Sequence, residues 1–401
     1  MPQEIDIAIV GAGMQALTLV AHLLQKREKM RNRFRVFDPG GNWIGQWKHQ
    51  FAAYEIPHLR SPALHHPDPD SFALRRFAES RPNQLFPPYD LPGTQLYESF
   101  CQDVIRRWQL QESVIAASIV RIEPLAHQFR LWLRDGRTVL ARRVIMATGS
   151  AVTQVPNWAN HIATPYPADR LVHSKAIDLR LLKLAGEQIL IVGGGLTSGH
   201  LAIGAINRGA KVSLISRRSF YEKLFDADPG WTRPKYLKGF HAESNWYVRW
   251  QMIQQARNGG SMTPAMMTQL RRARHSHKLT LHPECQINEA SWNGQNWKVT
   301  CEDGMVQECD RIWLATGTRF DVTQDPLFAE LLEAYPIQVV NGLPVLDPCL
   351  RWSNSELYVM GGLAALQVGP TARNISGAML ASDRIVPALI KSRTAISQSI
   401  S

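Results

Sequence analysis

Two glycine-rich stretches carry the plainest chemistry in this chain of 401 residues. Gly11-Ala12-Gly13-Met14-Gln15-Ala16 follows the apolar run 5–10, and Gly193-Gly194-Gly195-Leu196-Thr197-Ser198 follows the apolar run 189–192. In each, the first glycine permits a tight turn and the second lets backbone approach a pyrophosphate. The third position, Ala16 or Ser198, is small enough for a helix to pack on its strand. The strand after the first loop, 34–37, ends in Asp38, a carboxylate suited to accepting hydrogen bonds from an adenosine ribose. The strand after the second, 211–215, ends instead in Ser216-Arg217-Arg218-Ser219. Guanidinium groups there pair with a 2′-phosphate that a carboxylate would repel, which argues for NADPH. A protein holding two dinucleotides usually passes a hydride between them, which makes the first one FAD.

A third stretch, "LRSPALHHPDPDSFAL", offers His65, His66 and Asp68 as candidate catalytic groups. An imidazole titrates near neutrality when unperturbed, which suits proton delivery to a reactive oxygen species or removal from a substrate amine.

These groups need strands that end at one edge and helices that begin there. The repeated order of apolar strand, glycine loop, helix and strand predicts an α/β fold with two Rossmann-like dinucleotide-binding domains. At this point the chain resembles the two-dinucleotide-binding-domain flavoproteins, and among them the flavin-containing and N-hydroxylating monooxygenases of the lysine/ornithine type. Besides both fingerprints, "RRVIMATGS" and "DRIWLATGTRF" end similar strands where such chains pass between domains, with Gly149 and Gly317 letting backbone lie close to cofactor. "FDPGGNWIGQW" resembles the family's stretch along the FAD, which assigns Gly41, Trp43 and Trp47 to that cofactor. "LYVMGGLAALQVGPTARNISGA" resembles the last FAD-binding element, a helix beginning near Gly369, Pro370 and Thr371 with its N-terminus toward the flavin, where it would favour the reduced anion.

The resemblance implies a discontinuous FAD domain, residues 1–164 and 306–390, around an inserted NADPH domain, 165–305, followed by a tail, 391–401. Within the insertion, residues 219–278 are too long for an ordinary loop and carry helical spacing, with Thr263 as a cap and Pro264 at the first helical position. A small helical subdomain is expected there. Its aromatic side chains either line a pocket or pack on a neighbouring layer. The family motif before the second fingerprint is met only in part: His173 and Ser174 match, while Pro167 and Asp169 stand in place of an aromatic residue and a glycine.

The function implied is an NADPH-dependent FAD monooxygenase passing oxygen from a C4a-(hydro)peroxyflavin to a small amine, sulfur or ketone substrate. The alternative is an NADPH-dependent flavin reductase serving a quinone, a ferredoxin-like protein or another acceptor. The five cysteines form no Cys-x-x-Cys, so no redox disulfide relay and no metal site is expected. The net charge of +11 is scattered, without any nucleic-acid-binding motif, so small molecules and O₂ rather than nucleic acid are the expected partners. No apolar run is long enough to span a membrane and no leader is evident, which leads to the expectation of a cytoplasmic protein, with a homodimer left open.

Overall fold

The computed structural model describes residues 4–149, 151–163, 165–257 and 259–391. Two sheets organise them, the first mixed and the second parallel. The first runs Val114–Ala116, Phe34–Asp38, Glu4–Val10, Thr138–Met146, Phe129–Leu133, Ile119–Pro124, and Leu357–Val359 joins it beside Thr138–Met146. Glu4–Val10 is β-branched and buried along residues 7–10, as a strand covered on both faces must be. Because Leu357–Val359 pairs in parallel with residues 144–146, the end of the chain returns to the sheet that its beginning founded. One dinucleotide-binding unit is thus inserted into the other.

The second sheet is wholly parallel: Leu171–His173, Arg311–Leu314, Gln188–Val192, Lys211–Ile215, Leu279–His282. A three-stranded antiparallel meander, Ile287–Trp292, Trp297–Cys301 and Val306–Cys309, packs beneath it around the fully buried Trp297. The boundary expected at 305 therefore falls too early. Arg311–Leu314 lies between two strands of the second sheet, and the hydrophobic run that ends in Ala315-Thr316-Gly317 cannot be assigned to one sheet or the other from its composition.

Two short strands connect the units: Val152–Thr153 pairs antiparallel with Thr318–Arg319. The two "ATG" segments thus sit side by side where the chain crosses over and returns.

The 219–278 stretch is helical, as its spacing predicts: Pro234–Ala242, Trp246–Arg257 and Pro264–His275. Thr263 Oγ1 accepts the Met266 N–H at 3.2 Å with Pro264 at the first position, the expected cap. Its aromatics divide by what they touch. Phe240 is fully buried in the core of the first unit with Trp231, Trp246 and Trp250 packed around it, while Tyr247 is exposed. The last helix, through Met266, Met267 and Leu270, packs on the core of the second unit instead. The insertion therefore bridges both units. No described helix is long and apolar enough to cross a membrane.

Candidate functional site

Each glycine loop begins where a strand meets its neighbour too closely for a side chain. At Gly11, φ is +97° and a methyl group would come within 2.8 Å of the Ala147 carbonyl oxygen. At Gly193, φ is +147° and a methyl would run into Ala315 O. Gly13 and Gly195 show the opposite: nothing lies within 4 Å of where a Cβ would be, so bare backbone faces open space at the N-termini of Met14–Lys26 and Leu196–Asn207. That is what a pyrophosphate needs. Ala16 and Ser198 are fully buried, and Ser198 Oγ donates to Gly195 O at 2.6 Å.

Asp38 closes the first loop. Its Oδ2 accepts the Ala12 N–H at 3.0 Å and its Oδ1 the Gly40 N–H at 2.9 Å. Carboxylate oxygens have further lone pairs, so this side chain can brace the loop and still accept from a ribose hydroxyl. Gly41 (φ +64°) passes so near Ala116 that its Cβ would lie 2.8 Å from that methyl. The two tryptophans expected along the cofactor part company. Trp47 is half-buried, its ring tilted against Phe51 at 4.3 Å between ring centroids. Trp43 is core: it is 4% exposed and its indole N–H donates to Leu110 O at 2.9 Å, so its polar edge is already satisfied inside the protein.

In the second loop the two arginines also separate. Arg217 is exposed and has no hydrogen-bond or ion-pair partner among the described residues. Arg218 reaches back to the helical insertion, its guanidinium donating to Gly259 O at 3.0 Å. Arg217 is thus the group available to a 2′-phosphate, and Arg218 holds the insertion against the loop.

The crossover completes the cradle. Gly149 (φ +64°) and Gly317 (φ +80°) have nothing within 4 Å of a Cβ position, so backbone is bare there too. Opposite, Gln15 Nε2 donates at 3.2 Å to Ala372 O and to Asn374 O, tying the first loop to the turn after Gly369. Gln15 Oε1 and Thr371 Oγ1 are buried without a hydrogen-bond partner among the described residues. Buried polar atoms are seldom left so, and a group with complementary donors and acceptors, such as a flavin dinucleotide, suits them. The final helix starts later than its motif suggests, at Ile375 rather than near Gly369. Pro370 and Thr371 lie in an intervening turn that folds tightly onto Gly377, where a methyl would meet Thr371 O.

The histidine segment behaves differently from its expectation. His66 is fully buried, its Nε2 near Ser71 O at 3.3 Å and its ring edge-on to Phe100. Asp68 is 3% exposed, accepts the Asp70 N–H at 2.9 Å and pairs with Arg107 at 2.8 Å. Both brace a proline-rich loop, and His66 Nδ1 is buried without a hydrogen-bond partner among the described residues. His65 is half-buried, bonded through Nδ1 to Ser61 Oγ at 2.9 Å, and burial, reinforced by His66, pushes its imidazole down to about 4. It is neutral at neutral pH and cannot serve as a general acid there. His173, from the partly matched motif, bonds to Gly317 O at 3.1 Å and so braces the crossover.

What sequence reasoning missed is a cluster of guanidinium groups from three distant segments. Arg60 donates to Leu224 O at 2.7 Å and Ser261 Oγ at 2.7 Å and lies 3.8 Å from Asp226. Arg257 pairs with Asp226 and donates to Pro370 O at 2.9 Å. Beside them Arg373, on the turn that carries Thr371, keeps an exposed side chain without a hydrogen-bond or ion-pair partner among the described residues. Burial in the protein mass around it, and the charge of Arg257, push it down to about 10, with Asp226 only partly opposing. The Arg373 side chain is solvent-accessible although protein surrounds it.

Comparison with known proteins agrees with this arrangement. Residues 8–151 match the FAD-NAD(P)-binding family model, and residues 98–320, more than half of the chain, match that of L-lysine 6-monooxygenase/L-ornithine 5-monooxygenase. The chain is 25% identical over 238 residues to the L-lysine N6-monooxygenase of Escherichia coli, covering 54% of each, so it spans about half the length of that relative. Among solved structures, the ornithine hydroxylase of Pseudomonas aeruginosa superposes with a TM-score of 0.77 at 16% identity, over 96% of this chain and 98% of that one. The cadaverine monooxygenase of Erwinia amylovora gives 0.76 at 14% identity, over 100% and 99%. With its two glycine loops, its crossover strands and the extent of the family match, this chain belongs to the L-lysine 6-monooxygenase/L-ornithine 5-monooxygenase family.

Proposed function

We propose that this protein is an NADPH-dependent FAD monooxygenase that hydroxylates the amine nitrogen of a small substrate. The observation that carries the reading is the crossover, where two bare-backbone nucleotide loops, at Gly13 and Gly195, follow strand ends paired with those that lead into the segments at Gly149 and Gly317. Bound FAD, reduced by NADPH, supplies the oxygen chemistry. The chain's own residues bind and enclose. Gly13 and Asp38 hold the first dinucleotide; Gly195 and Arg217 hold the second and select its 2′-phosphate. Gly149 and Gly317 let backbone approach the reacting face, Thr371 and Gln15 offer buried polar atoms to it, and the helices of 219–278 shield the cleft from water.

The guanidinium cluster favours a substrate with an anionic group beside its amine. Arg60, Arg257 and Arg373 surround one carboxylate, Asp226, leaving an excess of positive charge that would repel a diamine dication and attract a carboxylate. The chain division that accompanies this reading assigns 4–149 and the segment from about 318 to 390 to the FAD unit, with the second sheet between them. Its supply of NADPH fits a cytoplasmic setting.

The test is to measure NADPH consumption and hydroxylamine formation with lysine, ornithine and cadaverine. The account expects coupled product with an amino acid and little with the diamine. NADPH consumption without hydroxylamine from any of them, together with rapid reduction of ferricyanide or a quinone, would make the protein a reductase.

A further inference from the structure

The hairpin beneath the second sheet brings together a set of metal-binding side chains that the monooxygenase reaction does not use. Ile287 and Cys301 are cross-strand partners, and the Glu302 N–H bonds to Gln286 O at 2.9 Å, which carries the ladder outward and sets Cys285 opposite Asp303. Side chains alternate along a strand, so Cys285, Cys301 and Asp303 fall on one face. Their ligand atoms all lie within 4.8 Å of one another. Cys285 and Cys301 are buried, at 5% and 2% exposure, while Asp303 stands at the rim. His282 precedes Cys285 by three positions at the end of its strand, and the charge of Asp303 is felt at its ring. The ligand pattern is His-x-x-Cys followed by Cys-x-Asp, which the absence of Cys-x-x-Cys conceals from a sequence scan.

We propose that Cys285, Cys301 and Asp303 form a binding site for a borderline divalent cation of the Zn²⁺ type. Two sulfurs and a carboxylate are donors such an ion takes, with water completing its tetrahedron, and a hard cation such as Mg²⁺ would refuse the thiols. Binding displaces the thiol protons to solvent, one from each sulfur that coordinates as thiolate. The site is also attached to the NADPH loop. The Cys285 N–H donates to Ser216 O and the Ser216 N–H to His282 O, both at 3.0 Å, and Ser219 Oγ donates to Glu284 at 2.5 Å. Ser216 immediately precedes Arg217, so a cation here would fix the backbone from which the 2′-phosphate ligand projects.

The experiment is titration of the full-length, FAD-loaded protein, purified with chelator and reductant, with Co²⁺ as a spectroscopic stand-in. The expected result is long-wavelength d–d bands, beyond flavin absorption, that saturate at one equivalent and are displaced by Zn²⁺. Cys285→Ser with Cys301→Ser should abolish them, and Asp303→Asn alone should weaken binding at least tenfold while FAD content is unchanged. The absence of such bands in wild type, their survival in the double serine variant, or Asp303→Asn binding as tightly as wild type would overturn the proposal. Isolation of the pair as a disulfide from fully reducing buffer would overturn it too.

Discussion

Replacing Arg217 by alanine should separate NADPH from NADH. The guanidinium is exposed and has no protein partner among the described residues, so removing it leaves no buried group unsatisfied and the fold should be unaffected. What is lost is its bond to the 2′-phosphate. A charge-assisted hydrogen bond contributes roughly 1.5–3 kcal/mol, and exposure puts this one at the lower end. At about 1.4 kcal/mol per factor of ten, the KM for NADPH should rise by about ten-fold. The KM for NADH, which has no phosphate to lose, should stay within about two-fold of wild type, a change worth only tenths of a kcal/mol. Steady-state oxidation of both cofactors under identical conditions measures this directly. Because Arg218 is committed to Gly259, it cannot simply take over. An equal loss for both cofactors, or no loss for either, would refute the assignment of Arg217 to the phosphate.

Three further outcomes follow from the same geometry. Gly193→Ala should prevent the second unit from folding properly, since its methyl meets Ala315 O at a backbone angle only glycine tolerates, and soluble protein with normal NADPH affinity would contradict this. His65→Gln should keep turnover within a few-fold of wild type, because an imidazole pushed down to about 4 and bonded to Ser61 Oγ is not protonated to act as an acid at neutral pH and is only a weak base; a loss of a hundred-fold or more would restore it to a catalytic role. Acid should destabilise the protein through His65 and His200, both pushed down to about 4 by burial. Their unfolded forms bind protons from about 6.5 downward, so their contribution is intact above that pH and is lost as pH falls from 6.5 toward 4. The gap is worth at most roughly 3 kcal/mol per ring. Denaturant midpoints across this range should fall steeply in wild type and less in His200→Gln; parallel curves would refute the account.

Much of the fold was legible because it rests on local grammar. Both fingerprints, the strand limits near 34 and 211, the Thr263 cap and the insertion of one unit in the other follow from glycine positions and apolar runs. The boundary near 305 was not legible, since Arg311–Leu314 is equally apolar whichever sheet receives it. Features were legible where backbone sets them, as in the turns at Gly11 and Gly193, where a Cβ would meet the neighbouring strand. They were less so where a side chain chooses between core and cleft: Trp43 and Trp47 sit four residues apart in one motif, yet only Trp43 finds an internal acceptor. The burial of His66 and Asp68 was out of reach for the same reason, because residue type does not reveal that Ser71 and Arg107 lie against them. The Arg60, Arg257 and Arg373 cluster lay wholly out of reach, being assembled from segments more than a hundred residues apart.

The central claim is that reduced flavin in this protein gives oxygen to a nitrogen rather than electrons to an acceptor. Stopped-flow absorbance of the NADPH-reduced protein, mixed with oxygenated buffer in the presence and absence of lysine or ornithine, tests it most directly. The account predicts a transient spectrum distinct from both reduced and oxidised flavin, whose decay is accelerated by the amine and yields one hydroxylamine per NADPH. Direct return to oxidised flavin under every condition, with no hydroxylamine formed, would contradict it.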